Sequence, residues 1–198
     1  MSTSRELIFG SLGRHAVAGD TSYPSYSHPR VGIADLRQHF KTVLEEVGGE
    51  CRFAANISEA KKLVSEVEVV RAAGLVCSYV PEIADGNFDA VAQSKPQDCR
   101  DVGLTIVRAE LGVAENGAVW VNADGMRHRG LLFLSESLIL VVEGKNIVPD
   151  MESAYARIDF SRLRSGYFIS GPSKTADIEQ CLVIGVHGAR SLIVVVIG

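Results

Sequence analysis

The segment Ser170–Gln180, with the sequence SGPSKTADIEQ, divides the apolar carboxyl-terminal part of the chain into separate structural elements. It lies between two apolar runs, Tyr167–Ser170 and Leu182–Gly185. Gly171-Pro172 cannot continue a central strand, because proline lacks an N–H group and has a fixed φ angle. Acidic residues follow, as is typical of the first turn of a helix. The segment therefore predicts a strand, a loop and a helix in succession.

Ser173, Lys174 and Thr175 directly precede this predicted helix. A helix N-terminus has unpaired N–H groups and roughly half a positive charge, so two hydroxyls and an ammonium beside it can hold an anionic ligand. Helix capping by the hydroxyls, which needs no ligand, is the alternative. A nucleotide P-loop is excluded, because its lysine follows the second glycine directly, whereas two residues separate Gly171 from Lys174.

The composition is typical of a soluble globular protein. The chain has 198 residues, a net charge of −4 and a pI near 5.7. This length predicts one domain or one domain with an appendage. The net negative charge does not indicate nucleic-acid binding. No signal peptide is evident, and no apolar run reaches the roughly 20 residues of a membrane-spanning helix. We therefore expect a cytoplasmic protein without a transmembrane segment.

The cysteines are scattered and form no C-x-x-C pair. This spacing argues against a zinc or iron–sulfur site carried by this chain alone, and no other metal-ligand pattern occurs. Most of the cysteines lie within or beside apolar segments, which predicts reduced, buried thiols. They are Cys51, Cys77, Cys99 and Cys181.

The order of apolar patterns predicts an α/β protein. Residues 1–30 read as an N-terminal arm with a short helix, and residues 31–198 as the main domain. Helices are predicted over Val31–Gly48, over a segment capped by Ser58 and over Met151–Ile158. Strands alternate with them and are apolar without a period of two, which predicts a three-layer α/β/α domain with a mainly parallel sheet. The predicted strands are Glu50–Ala54, Gly74–Tyr79, Val102–Val107, Ala118–Asn122, Ser137–Val142, Tyr167–Ser170 and Ser191–Ile197.

Two further segments carry candidate chemistry. In Ala114–Gly117, Asn-Gly predicts a hairpin turn, while the carboxylate of Glu115 at a strand end can act as nucleophile, base or hydrogen-bond acceptor. In Gly185–Arg190, the glycines permit a sharp turn that holds His187. The alternatives are a plain turn and a loop histidine bonded to backbone beside an arginine ion pair. His128, between two arginines, is predicted to be solvated at a hairpin tip.

Together these segments resemble the LUD family, the lactate-utilisation LutC/YkgG proteins. The family pattern is close to S-G-P-S-[KR]-T-A-D-I-E, followed by an apolar helix and G-x-H-G-P. Val102–Thr105 and Ala114–Gly117 resemble its V-G-I-T and A-E-T-G segments. The resemblance covers residues 102–198. Asn116 replaces the usual threonine and Ala189 the usual proline, and neither departure removes a charged group.

The resemblance implies a fold similar to the ribose-5-phosphate isomerase and CoA-transferase class (NagB/RpiA/CoA-transferase-like). From the segments and the resemblance together, we assign candidate catalytic roles to Glu115, Asp177 and His187. Candidate ligand-binding residues are Asn116, Gly117, Gly171, Ser173, Lys174, Thr175, Gly188 and Arg190. The ligand expected there is a small anion, such as lactate or a phosphorylated or carboxylated compound.

The function implied is that of an accessory or ligand-binding subunit in a cytoplasmic system that oxidises L-lactate to pyruvate. The chain is expected to carry no cofactor, and the iron–sulfur clusters are expected on cysteine-rich partner proteins. Two alternatives remain at this point. One is an independent enzyme of the sugar-phosphate isomerase or CoA-transferase type, and the other is an interaction module without a site of its own.

Overall fold

The computed structural model describes residues 3–15, 32, 34–175, 183–185 and 188–198. The chain forms two compact units, Met1–Gly32 and Ile33–Gly198. In the first, helix α1 (Ser4–Arg14) begins with a capping box between Thr3 and Glu6 and has no buried residue. The second unit contains the sheets and the signature segments.

The elements of the second unit follow one another in this order. They are α2 (Leu36–Glu46), β1 (Glu50–Ala54), α3 (Ile57–Glu66), α4 (Glu68–Ala72), β2 (Val76–Ser78), β3 (Leu104–Arg108), β4 (Leu111–Val113), β5 (Ala118–Asn122), α5 (Leu131–Leu134), β6 (Ser137–Glu143), β7 (Ile147–Val148), α6 (Met151–Arg157), β8 (Gly166–Ile169), β9 (Lys174–Thr175), β10 (Val183–Ile184) and β11 (Ser191–Ile197). Short 3₁₀ turns occupy Pro96–Cys99 and Gly144–Asn146.

A five-stranded parallel sheet forms the centre, with the strand order β1-β11-β6-β3-β2. Both faces are buried, as the unbroken apolar runs predict. On β11, Val194 and Val196 pack in one core with Phe40 and Leu44 of α2. Ile193, Val195 and Ile197 of the same strand pack in another core with Ala60 and Val64 of α3. The predicted parallel sheet is confirmed.

The layer on the α2 side differs from the prediction, because a second sheet shares it. Its order is β7-β4-β5-β8, and only the β4–β7 pair is parallel. Helix α6 covers the outer face of this sheet through a core that contains Trp120, Val148 and Ala154. The order of layers is therefore helix, parallel sheet, second sheet with α2, and helix. Strands of two or three residues carry too little periodicity to predict this arrangement.

Two helix starts also differ from the prediction, and side-chain capping explains both. Helix α2 begins at Leu36, because the carboxylate of Asp35 accepts hydrogen bonds from the N–H groups of Arg37 and Gln38. Helix α3 is capped by Asn56, whose side chain accepts a bond from the N–H of Glu59 at 3.0 Å, and not by Ser58. Residues 31 and 33 of the helix predicted over Val31–Gly48 lie outside the described residues.

Candidate functional site

The signature segments meet at the amino-terminal edge of the parallel sheet, where β6 and β11 begin. The hydroxyl of Ser170, after β8, donates to the carbonyl oxygen of Asn116 in the β4–β5 turn at 2.7 Å. The N–H of Ser173 donates to the carbonyl oxygen of Ala189, just before β11, at 2.8 Å. Segments some 55 residues apart in the chain are therefore joined by direct hydrogen bonds.

Two glycines of the signature segments pack closely against the carboxyl-terminal end of α2. Gly117 has φ +64°, and a Cβ there would lie 2.7 Å from the Cα of Leu44. Gly171 has φ +71°, and a Cβ there would lie 2.5 Å from the carbonyl oxygen of Val47. Both the left-handed backbone and the close approach require residues without a side chain. The glycines therefore fix how the two loops dock against α2.

A cavity of about 250 Å³, which we call the signature cavity, opens beside this junction. One part of its lining, which we call the rim, consists of the Ser170–Ser173 loop, Gly188 and Ala189. A Cβ on Gly188 would lie 2.9 Å from the Cβ of Ser173, so a larger residue would narrow the rim. The rest of the lining is apolar and comprises Leu132, Phe133, Leu138, Phe168, Ile169 and Leu192. Such a cavity suits a small, largely apolar group held by a few hydroxyl contacts.

The residues that directly precede the predicted helix are extended. Lys174 and Thr175 form strand β9 and pair with Ile184 and Val183 in an antiparallel ribbon. Since the N–H of Ser173 is bonded to Ala189, it is not a helix-terminal donor facing an anion. The predicted helix itself, including Asp177, lies outside the described residues.

Lys174 reaches the carboxyl end of α2. Its ammonium donates to the carbonyl oxygen of Val47, the residue that follows the last turn of that helix. Cations are favoured at this end of a helix, where carbonyl groups lack partners. In this structure the ammonium therefore helps to hold the signature loop against α2.

Glu115 joins the β4–β5 turn to α6. Its carboxylate accepts a hydrogen bond from the N–H of Met151 at 3.0 Å, and its own N–H donates to the carbonyl oxygen of Pro149 at 3.0 Å. Asn116 accepts a bond from the N–H of Ala118 at 3.0 Å, which closes the predicted hairpin turn. An exposed carboxylate at the first N–H groups of a helix is a stabilising contact.

Arg190 is held by a neighbouring carboxylate. Its guanidinium pairs with Glu136 at 2.8 Å, and its N–H donates to the carbonyl oxygen of the same residue at 2.7 Å. The alternative of an arginine ion pair is therefore confirmed. His187 lies outside the described residues.

Several features of this region were not predicted from the sequence. His128 is buried, not solvated, and its Nε2 lies 3.1 Å from the carbonyl oxygen of Gln93. The hydroxyls of Thr105 and Ser135 are buried and lie 2.6 Å apart. Glu136, the partner of Arg190, carries no motif that would have identified it.

The predicted buried, reduced state is confirmed for Cys51, Cys77 and Cys99. Burial raises the pKa of Cys51 from 9.0 to about 11 and raises that of Cys77 and Cys99 as well. These thiols are therefore protonated and weakly nucleophilic near neutral pH. Cys181 lies outside the described residues.

A model of the LUD domain matches residues 89–197, more than half of the chain. The chain belongs to the LUD domain family. The matched range includes all the signature segments but not α2, on which the glycines of the LUD signature rest. The family expected from the sequence is thus confirmed, and part of the support for its signature lies outside the matched range.

Curated relatives point to the same family. The chain is 37% identical over 95 residues to Lactate utilization protein C 1 of Bacillus mycoides, covering 44% of this chain and 39% of that protein. It is 32% identical over 123 residues to Lactate utilization protein C of Geobacillus kaustophilus, covering 59% and 48%. The chain thus spans about half the length of the curated relatives it matches.

A solved structure supports the fold. A DUF162 family protein from Deinococcus radiodurans matches with a TM-score of 0.62 at 16% identity, covering 83% of this chain and 98% of that one. No helix among the described residues is long and apolar enough to cross a membrane. Within the same part of the chain, no group of three or more His, Cys, Asp or Glu residues is placed to hold a metal ion.

Proposed function

We propose that this LUD-domain chain is a LutC-like accessory or ligand-binding subunit of a cytoplasmic system that oxidises L-lactate to pyruvate. The observation that carries the proposal is that two of the LUD signature segments, Ser170–Ser173 and Gly188–Ala189, line one cavity. Sequence similarity to proteins named Lactate utilization protein C supports the assignment to lactate metabolism.

Lactate oxidation removes two electrons, which a redox cofactor must accept. We assign this step to iron–sulfur and cysteine-rich partner proteins. The positions of two thiols support this division of labour, because Cys51 on β1 and Cys77 on β2 lie on the two outermost strands of the five-stranded sheet. Buried thiols at such a separation cannot bind one cluster together.

Within this chain, we propose that a small ligand or a partner side chain enters the signature cavity and contacts Ser170, Gly171, Ser173 and Gly188. Asn116, Gly117 and Lys174 act as positioning residues, because their contacts hold the loop that forms the rim. Thr175 and Arg190 support the rim through β9 and the Glu136 pair. We retain Asp177 and His187 as proposed acid–base groups, while the contact of Glu115 with Met151 favours a positioning role for that carboxylate.

A deletion strain of the source organism tests this proposal. We expect deletion to abolish growth on L-lactate but not on glucose, and a tagged wild-type chain to restore growth and to co-purify with an iron–sulfur protein. Gly188→Val should fail to restore growth, because its side chain would enter the space occupied by Ser173. Gly74→Val, at a glycine with no atom within 4 Å of its added Cβ, is the matched control. Normal growth of the deletion strain, without any co-purifying partner, would refute the proposal.

We also propose that the fold belongs to the ribose-5-phosphate isomerase and CoA-transferase class, with the parallel sheet as support. An independent enzyme is the second candidate that this sheet favours, since parallel sheets of α/β proteins commonly carry small-molecule sites. Turnover of a phosphosugar or a CoA ester by the purified chain, without partners, would favour it. A chain that binds a partner but shows no effect of any cavity variant would instead act as an interaction module.

A further inference from the structure

We infer a second ligand site, distinct from the signature cavity, at the carboxyl-terminal edge of the parallel sheet, where Arg37 and Lys145 bind a small molecule bearing a carboxylate or phosphate group. The two sites lie at opposite ends of the strands. The signature cavity contacts Leu138 and Leu192, the second residues of β6 and β11. The second site adjoins Gly144 and Lys145, which follow the last residue of β6.

The chain topology singles out this end of the sheet. After β1 the chain continues into α3, which packs on one face of the sheet. After β6 it continues into β7, whose Ile147 packs on the other face. Strand β11 lies between these two strands and ends at Ile197. The connections after β1 and β6, the two neighbours of β11, therefore leave to opposite faces, and open α/β sheets generally bind ligands in a crevice at the carboxyl ends of such strands.

A wide, shallow cavity of about 490 Å³ lies at this edge of the sheet. Its lining includes Asp35, Arg37, Gly144, Lys145 and Ile147. The lining therefore combines two cations, one carboxylate and an apolar side chain.

Packing against an aromatic ring holds Arg37 in place. Its guanidinium carbon lies 5.2 Å from the ring centroid of Phe53, a contact that fixes the planar group on an aromatic face. A Cβ on Gly144 would lie 3.1 Å from the Nε of Arg37 and 2.5 Å from the backbone oxygen of Gly198. The missing side chain at Gly144 thus leaves room for the half-buried guanidinium.

The charges at this edge leave a positive excess inside the cavity. Arg108, at the end of β3, is neutralised by ion pairs with Glu82 and Glu143. By contrast, neither Arg37 nor Lys145 forms an ion pair with a carboxylate of the described residues. The carboxylate of Asp35 accepts hydrogen bonds from two N–H groups of α2, so the first turn of this helix is already capped. The ligand contacts are therefore the two cationic side chains, and a guanidinium fork matches the oxygen pair of a carboxylate or phosphate.

Calorimetric titration of the full chain with inorganic phosphate and, separately, with pyruvate tests this inference and distinguishes the two oxyanions. We expect saturable binding of at least one of them at low ionic strength. Arg37→Gln should weaken it on the order of tenfold or more, as expected for a lost charge-assisted hydrogen bond. Lys145→Gln should weaken oxyanion binding less than Arg37→Gln does. It serves as the second variant, because replacing an exposed lysine does not disturb the packing of the protein. Arg100→Gln, an exposed arginine paired with Asp101, is the matched control and should bind as the wild type does.

The outcomes separate this site from the proposed function. Gly188→Val, which alters the signature cavity, should leave oxyanion binding unchanged, whereas Lys145→Gln should leave partner capture unchanged. Absence of saturable binding of both probes overturns the inference. Binding that Gly188→Val abolishes and that both cationic variants leave intact also overturns it, and would place the oxyanion in the signature cavity.

Discussion

Replacement of Gly171 by alanine tests whether the signature loop docks against α2 as described. Two costs arise in the folded state. The residue has φ +71°, a region that costs a residue with a side chain about 1–2 kcal/mol. The added Cβ would lie 2.5 Å from the carbonyl oxygen of Val47, and relief of such a backbone contact costs about 1–3 kcal/mol. Alanine also restricts the unfolded chain, which offsets about 0.4–1 kcal/mol. We therefore expect a net loss of about 3 kcal/mol.

Equilibrium urea unfolding, followed by circular dichroism, measures this loss. Gly74→Ala is the matched control, because Gly74 has no atom within 4 Å of an added Cβ and no positive φ. Gly171→Asn separates the two costs, since asparagine tolerates the left-handed region but keeps the Cβ contact with Val47. A loss below about 1 kcal/mol for Gly171→Ala, equal to that of the control, would refute the close approach of the loop to α2.

Three further predictions concern the hydrogen bonds and the buried thiol. Thr105→Val and Ser135→Ala should each cost about 1–3 kcal/mol in urea unfolding, because each leaves a buried hydroxyl without its partner; the double variant should cost less than the sum, and additive losses would contradict the pairing. Ser170→Ala should lower stability by about 0.5–1.5 kcal/mol through loss of the bond to Asn116, while exposed Ser94→Ala should have no measurable effect. Since burial raises the pKa of Cys51 from 9.0 to about 11, the folded state retains a proton that the unfolded state releases, so stability should fall as the pH rises from about 9 to 11. Cys51→Ala should make this fall shallower, and an identical pH profile would contradict the assigned cause.

Long apolar runs made the central sheet predictable from the sequence. Ser191–Ile197 and Ser137–Val142 contain consecutive branched residues, and both became central strands with both faces covered. The second sheet was not predictable as a layer, because its strands are short and its pairs depend on contacts between distant segments. The buried position of His128 was missed for a similar reason: its partner is a backbone carbonyl 35 residues earlier, and two flanking arginines suggested a solvated turn.

The signature segments were recognised from the sequence, but their physical role was only partly predicted. Lys174 and Ser170 have the chemistry of ligand-binding groups, and residue type alone cannot reveal that their polar atoms are bonded to Val47 and Asn116. Conversely, Arg37 belongs to no motif, and its lack of a carboxylate partner among the described residues becomes visible only once β1, β6 and α2 are placed together.

The two ends of the parallel sheet therefore differ in how their polar groups are used. At the amino-terminal end, several described polar groups of the signature are bonded within the fold: Ser170 with Asn116, Ser173 with Ala189, and Arg190 with Glu136. These bonds stabilise one loop arrangement and shape the cavity rim, but among the described residues of the signature they leave few charges for a ligand. At the carboxyl-terminal end, Arg37 and Lys145 remain without described ion-pair partners beside a larger cavity. A charged small molecule is therefore expected at the end of the sheet that the LUD signature does not occupy, and the signature itself is better suited to hold a neutral group or a partner surface.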